Sequence, residues 1–231
     1  MNRHSEIEQF LQAEIDVGSF PSAVYAAGSS RGIDLEGALG NAVSVPFRLP
    51  ATKETIYDCA SLTKPLITTT LVMQAVAEGR IRLDDEFEGF PYRRLLTHTS
   101  GLMAWLPLYS FDDYLRAIKE KGMEYEPGKR VVYSDLNFIL LHYALKRIYG
   151  DYVARAKEKI FEPLGLTDAM FHPPASLRPR IAATEWGQRY EYGMCATRNV
   201  SFKGFRRGLI WGETHDGNSH HHGGTAGNAG L

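Results

Sequence analysis

The chain has 231 residues, 44% of them hydrophobic and 23% charged, which supports one substantial core or two small ones and excludes a disordered polypeptide. Its 26 basic and 27 acidic side chains nearly cancel. With no long run of one sign, the footprint expected for a nucleic-acid or anionic-membrane partner is missing, and small molecules or peptides are the expected partners.

The segment M1-N-R-H-S-E-I-E8 carries charges where a signal peptide needs an apolar core, and the apolar runs elsewhere fall short of a membrane span, so a cytoplasmic location is expected. Ser5 with Glu8 forms a capping box, and Ile7, Phe10, Leu11 and Ile15 then recur at helical spacing until Gly18 and Pro21. S22-A-V-Y-A-A-G28 and I33-D-L-E-G-A-L39, joined by S29-S-R-G32, predict a hairpin, and V45-P-F-R-L-P-A-T52 predicts a loop. Leu62 to Glu78 is apolar around most of its circumference and predicts a central helix closed by Gly79. S110-F-D-D113 reads as a second capping box opening a helix to Lys121, and further helices are predicted from Asp135 to Gly150 and from Asp151 to Phe161. After Pro173 the periodicity fades into a loop-rich tail. There is no internal repeat. Because a lone hairpin does not persist in water, it either packs on the helices or lacks strands that complete its sheet.

The candidate chemistry lies in C59-A-S-L-T-K-P65. At the start of a helix, Ser61 faces unsatisfied backbone N–H groups and the positive end of the helix dipole. Lys64, three residues on, shares its face and brings an amine within reach of the hydroxyl. A serine hydroxyl needs a group to take its proton, and a lysine desolvated among apolar side chains tends to lose its charge and serve as that base. The bland alternative is an N-cap serine with an unrelated lysine, since chance alone supplies about one S-x-x-K in a chain of this length. Y133-S-D135, after a Pro-Gly turn and before a helix, offers a phenol as a proton relay and a carboxylate that caps the helix and accepts from Lys64. On the bland reading Tyr133 is a core aromatic and Asp135 only a cap. Trp105 and Tyr109 either wall an acyl pocket or pack as core.

Other groups carry less. His98 in T97-H-T-S-G101 reads as a hydrogen-bonded scaffold histidine, and His215, Asp216 and His220 to His222 read as a solvated loop rather than a metal centre. Neither a phosphate loop nor a dinucleotide-binding glycine pattern occurs, so no cofactor and no metal are expected. Cys59 and Cys195 are too few for a disulfide framework and read as reduced, buried thiols.

A60-S-L-T-K-P65, L95-L-T-H-T-S-G-L102, Y133-S-D135 after E126-P-G128, and E162-P-L-G-L-T-D-A-M170 occur in that order. Together with I181-A-A-T-E185, G212-E-T-H-D-G-N218 and G223-G-T-A-G-N-A-G-L231, they resemble the serine β-lactamase and penicillin-recognising superfamily, in its class C β-lactamase-like and esterase-like branch. The resemblance runs from about Pro21 to Leu231. It implies an α+β fold of β-lactamase/transpeptidase type, with an α/β sheet domain beside an all-helical domain, and acyl transfer through a seryl intermediate. It makes Ser61 the nucleophile, Lys64 its proton acceptor and Tyr133 the partner general base or acid. Asp135 stands where many relatives have asparagine; the extra carboxylate tends to keep Lys64 protonated and shifts the burden of proton removal to Tyr133.

Residues 1–60 then supply the N-terminal helix and hairpin of the sheet domain, and residues 61–231 the helical domain with its tail. The remaining strands are absent, as is a convincing third motif, K-T-G or H-x-G, with the oxyanion-hole N–H it donates; H222-G-G224 fits only by letter. Losing one such donor costs on the order of a hundred- to a thousandfold in rate, so this chain by itself is expected to be impaired. A longer natural protein, a complementing C-terminal fragment or a homo-oligomer is expected to complete the sheet. The expected function is hydrolysis of an ester, amide or β-lactam through an acyl-enzyme, as an esterase, β-lactamase or D-Ala-D-Ala peptidase-like protein; the alternative is a non-catalytic or truncated homologue acting as a binding or scaffold module.

Overall fold

The computed structural model describes residues 3–231. Met1, Asn2 and the Ser5 side chain of the expected capping box lie outside what is described. The polypeptide divides into two compact units, one of residues 1–57, 173–185 and 209–212, the other of 58–172, 186–208 and 213–231. Residues 173–185 and 209–212, read from sequence as part of the tail, thus join the N-terminal unit.

In the first unit, helix α1 (Arg3–Asp16) precedes strands β1 (Ser22–Ser29) and β2 (Gly32–Val43). The two strands pair antiparallel, Val24 opposite Ala38, with a register shift at Ala27/Gly28. Their tip is exposed, Ile33 included. Where β2 passes the end of α1, Gly40 adopts φ +77°, and a Cβ there would stand 2.2 Å from the Pro21 carbonyl oxygen and 3.1 Å from Ile15 Cδ1. Only glycine fits such an approach. The expected loop 45–52 is not wholly irregular: β3 (Leu49–Pro50) adds to β2 through Val43 and Asn41. Proline is tolerated there because an edge strand leaves one side of its backbone unpaired. The chain returns at Ile181, which bridges in parallel to Ile56, and the Ala183 N–H donates to the Ala42 carbonyl.

The second unit is built on buried helices. Before its first α-helix, the expected continuous helix from Leu62 is a 3-10 turn at Ala60–Leu62, then a π-helical stretch at Lys64–Thr69, then α2 (Thr70–Ala77). Pro65 explains the break: it has no N–H for the regular ladder, and the wider turn accommodates its ring. This helix is half-buried rather than central. Ile67, Leu71, Val72 and Ala75 are buried, whereas Leu62, Leu66 and Met73 are exposed. A two-stranded ladder, β4 (Glu86–Phe87) with β5 (Phe90–Pro91), makes the unit helical but not wholly so, and leads into α3 (Tyr92–Leu96).

Helix α4 (Tyr114–Lys121) is capped differently from the expected box. Asp113 Oδ1 accepts from the Arg116 N–H at 3.0 Å, while the Ser110 hydroxyl donates to the Pro107 carbonyl at 2.7 Å. The central element is α5 (Asp135–Tyr149), whose Leu136, Ile139, Leu140, Leu141 and Ala144 are fully buried. α6 (Tyr152–Ala156), capped by Asp151, continues as a π-helical turn to Phe161. A further helix, α7 (Arg189–Thr197), lies in the region read as loop. Its strand neighbours in the chain are β6 (Glu185–Trp186) and β7 (Leu209–Ile210), and α8 (Gly217–His221) follows. Gly217, Asn218 and Ser219 are buried, so the expected solvated histidine loop is instead a packed helix. Among the described residues no helix is long and apolar enough to cross a membrane.

Candidate active site

Ser61 sits on a strained turn. Ala60, just before it, has φ +45°, a left-handed conformation that costs a non-glycine residue roughly 1–2 kcal/mol. The surroundings hold it there. Asp58 Oδ1 accepts from the Ala60 N–H at 2.7 Å, and Oδ2 accepts from the His215 N–H at 2.8 Å. The Cys59 N–H donates to the Leu231 carbonyl at 2.8 Å, and the Leu231 N–H donates to Thr63 Oγ1 at 3.2 Å. Strain of this kind persists only where neighbours over-determine the backbone, which is how functional side chains are commonly presented.

The Lys64 side chain is only 3% exposed, and its Nζ meets oxygen on three sides: it donates to Ser61 Oγ at 2.9 Å and to the Asn228 carbonyl at 3.0 Å, and it pairs with Asp135 Oδ1 at 2.6 Å. Three acceptors match the three hydrogens of an ammonium, which is what a buried cation requires. Burial pushes the Asp135 carboxyl above its ordinary range, with the Lys64 charge opposing the shift. Asp135 does not cap α5. The cap position belongs to Ser134, whose hydroxyl donates to the Met103 carbonyl at 2.6 Å.

Tyr133 lies over the same group, with Lys64 Nζ 5.0 Å from its ring centroid. The residue is 56% exposed and its ring packs on His98 with 4.6 Å between centroids, so it is no core aromatic. The T97-H-T-S-G101 segment is its clamp. His98 Nδ1 accepts from the Ser134 N–H at 3.0 Å and contacts Asn137 Nδ2 at 3.2 Å, and the Val132 N–H donates to the His98 carbonyl at 2.9 Å. Ser100 Oγ donates to Asn137 Oδ1, completing the brace. Because Nδ1 accepts, the neutral ring carries its proton on Nε2. Burial and then the Lys64 charge push the His98 pKa down, which keeps Nδ1 an acceptor.

Ser61, Lys64, His98 and Tyr133 share one cavity of about 580 Å3, walled on its apolar side by Leu62, Pro65, Leu96 and Phe138. Cys59 also lines it; burial, then Asp58, pushes its thiol pKa up. Trp105 and Tyr109 are elsewhere. Both are buried in a cluster with Cys195, where the Tyr109 hydroxyl lies 3.4 Å from Sγ, so packing is the role the structure gives them. The histidines of 215–222 form no metal cluster among the described residues. His222 stacks on Tyr114 at 5.0 Å, and His222 to Gly224 turn the chain after α8 rather than forming a strand, so they do not make the H-x-G element.

Sequence reasoning missed Asp58, whose signal was a carboxylate two residues before a tight turn. It also missed the role of Asn228, which acts through its carbonyl and therefore leaves no side-chain signature. The glycine-rich segment that carries Asn228 is tied to the π-helical turn by Thr68, whose Oγ1 donates to the Gly227 carbonyl at 2.7 Å.

The helical unit, the hairpin unit and the serine–lysine–tyrosine group define an α+β architecture of the β-lactamase/transpeptidase type. The chain belongs to the Beta-lactamase family, whose model matches residues 7–230. A putative D-alanyl-D-alanine carboxypeptidase of Escherichia coli K12 is 30% identical over 270 aligned residues, spanning all of this chain and 61% of that protein. The chain therefore covers about three-fifths of the curated relatives it matches. An octameric penicillin-binding protein homologue from Pyrococcus abyssi superposes with TM-score 0.60 at 26% identity, over 71% of this chain and 43% of that one. A class C beta-lactamase superposes with TM-score 0.65 at 21% identity, over 81% and 56% respectively; at that identity the likeness concerns the fold.

Proposed function

We propose that the chain carries the nucleophile and proton-transfer group of a serine hydrolase that cleaves an ester or amide through an acyl-enzyme at Ser61. The contact that carries this reading is the 2.9 Å approach of a buried lysine amine to the Ser61 hydroxyl, inside a cavity of small-molecule size. A surface lysine would not be desolvated in this way without a partner to serve.

In the proposed cycle Ser61 Oγ attacks the carbonyl carbon while its proton passes to Tyr133 acting as the phenolate, and the Lys64 ammonium offsets the negative charge carried first by that phenolate and then by the tetrahedral adduct. The bond to the leaving alcohol or amine then breaks, with that proton returned to the leaving atom. Water repeats the sequence on the acyl-enzyme, giving the carboxylic acid and free Ser61. The backbone N–H of Ser61 supplies one oxyanion donor, since the first residues of a helical turn lack intrahelical partners. Asp135 anchors Lys64 so that its cationic end stays at the hydroxyl.

Membership of the Beta-lactamase family and kinship to a protein named a putative D-alanyl-D-alanine carboxypeptidase support acyl transfer as the reaction class. Simple esters are the proposed first substrates. The test is labelling with a fluorophosphonate and with a fluorescent penicillin, followed by peptide mapping. Adduct is expected on Ser61, absent in Ser61→Ala, and formed about 100- to 1,000-fold more slowly in Lys64→Met, the range for losing one electrostatic partner of the developing charge. A folded chain that takes up neither probe would overturn the hydrolase in favour of a binding module.

A further inference from the structure

A second cavity, of about 540 Å3, opens beside α7 and shares no lining residue with the cavity around Ser61. Its character is different. Arg189, Lys203, Arg206 and Arg207 line it, and no acidic residue does. The segment 186–208 that builds it holds five Lys and Arg against a single acid, Glu191, in a chain whose net charge is −1. Glu191 is buried and occupied, accepting from the Gly217 N–H at 2.6 Å and from Gln188 Nε2 at 3.0 Å, so it does not neutralise the cavity wall.

The cations divide into one fixed and three available. Arg206 is locked by donating to the Thr214 carbonyl at 2.7 Å, to the His215 carbonyl and to Gln188 Oε1 at 3.3 Å. Gln188 is itself buried. Arg189, Lys203 and Arg207 are exposed and make no ion pair among the described residues. Three like charges held around one concavity repel each other, and a bound anion removes that cost.

The remaining wall is aromatic. Trp186 and Tyr192, both exposed, flank the opening, and Phe202 and Phe205 meet edge to face at 5.2 Å beneath it. Exposed rings among guanidinium groups suit a flat ligand that stacks on the rings while its acidic groups take the cations, and guanidinium presents paired donors to carboxylate, phosphate or sulfonate alike. A volume near 540 Å3 fits a small molecule rather than a groove-tracking polymer.

We infer that this cavity is a second binding site, separate from the Ser61 centre, for a small planar organic anion bearing two or more acidic groups. Naphthalene-1,5-disulfonate is the probe, titrated by calorimetry into the chain and followed by tryptophan fluorescence. One-to-one saturable binding is expected, at least tenfold weaker in Arg189→Gln/Lys203→Gln/Arg207→Gln and unchanged in Ser61→Ala. Trp186→Phe is expected to retain binding and lose most of the fluorescence change. The three substituted cations are on the surface, and circular dichroism verifies the fold. Absence of saturable binding, binding untouched by the triple substitution, loss of binding in Ser61→Ala, or capture only of a polyanion such as heparin would each overturn the assignment.

Discussion

At the scale of single residues, the site is organised around one buried charge. Removing one member of a buried ion pair leaves the other uncompensated, a loss of about 3–5 kcal/mol, so Asp135→Ala is expected to lower the urea unfolding free energy by that order. Asp135→Asn keeps an acceptor for Lys64 Nζ and should cost less, and Lys64→Met combined with Asp135→Leu should recover part of the loss. An equal cost for Ala and Asn would refute the ion-pair account. His98 tests positioning: His98→Ala removes the acceptor of the Ser134 N–H, loosening the turn that holds Tyr133. Displacements of about 1 Å cost up to roughly a hundredfold in rate. Slower Ser61 labelling with unchanged helical content is the expected signature. The closeness of Lys64 to Ser61 was legible in the sequence because S-x-x-K is a local pattern whose geometry follows from a helix start, and the resemblance set Tyr133 and Asp135 beside them. Asn228 was not, since a backbone carbonyl 164 residues from Lys64 belongs to no local pattern.

At the scale of elements, the helices that periodicity marked out are present, and the deviations have physical causes. The π-helical turn at Lys64–Thr69 follows from Pro65, and α7 was missed because only Glu191 and Cys195 on it are buried, which leaves no apolar stripe to read. The glycine segment after α8 makes a sharper test. Gly227 has φ +78°, and a Cβ there would lie 2.7 Å from His142 Cβ and 2.8 Å from the Phe138 carbonyl oxygen. Gly227→Ala is therefore expected to cost at least about 2 kcal/mol, combining left-handed strain with displacement of α5, and to slow Ser61 labelling because Asn228 follows directly. Asp113→Ala should cost only about 1 kcal/mol, the ordinary value of an N-cap, and leave labelling intact. Denaturant midpoints and labelling rates of the two variants separate an element that builds the site from one that merely supports it.

Across the whole molecule, buried histidines set the response to acid. His142 is buried with an unpartnered Nδ1, and burial, then the His222 charge, pulls its pKa down to about 3. The unfolded chain protonates this group near 6.5. Between those values the unfolded state binds the extra proton, so stability present above pH 6.5 is lost progressively as pH falls toward 3. His98, His220, His221 and His222, also held down, act with the same sign. Glu191 and Asp135, whose carboxyls burial pushes up, act with the opposite sign. Thermal melts from pH 7 to 4 should show a falling midpoint that is flatter in His142→Asn; parallel profiles would remove His142 as the cause.

By itself the sequence determined the hairpin, the helices and the closeness of Ser61 to Lys64, because each rests on spacing within a few residues or one helical turn, while the α+β class came with the family resemblance. Only the tertiary structure decided that Lys64 is enclosed by three oxygens, that His98 braces Tyr133, that Trp105 and Tyr109 pack with Cys195, and that four cations ring a separate cavity. Those relations join residues tens to more than a hundred positions apart, and the energy that selects them, desolvation of charge and closure of the core, exists only after the chain has folded.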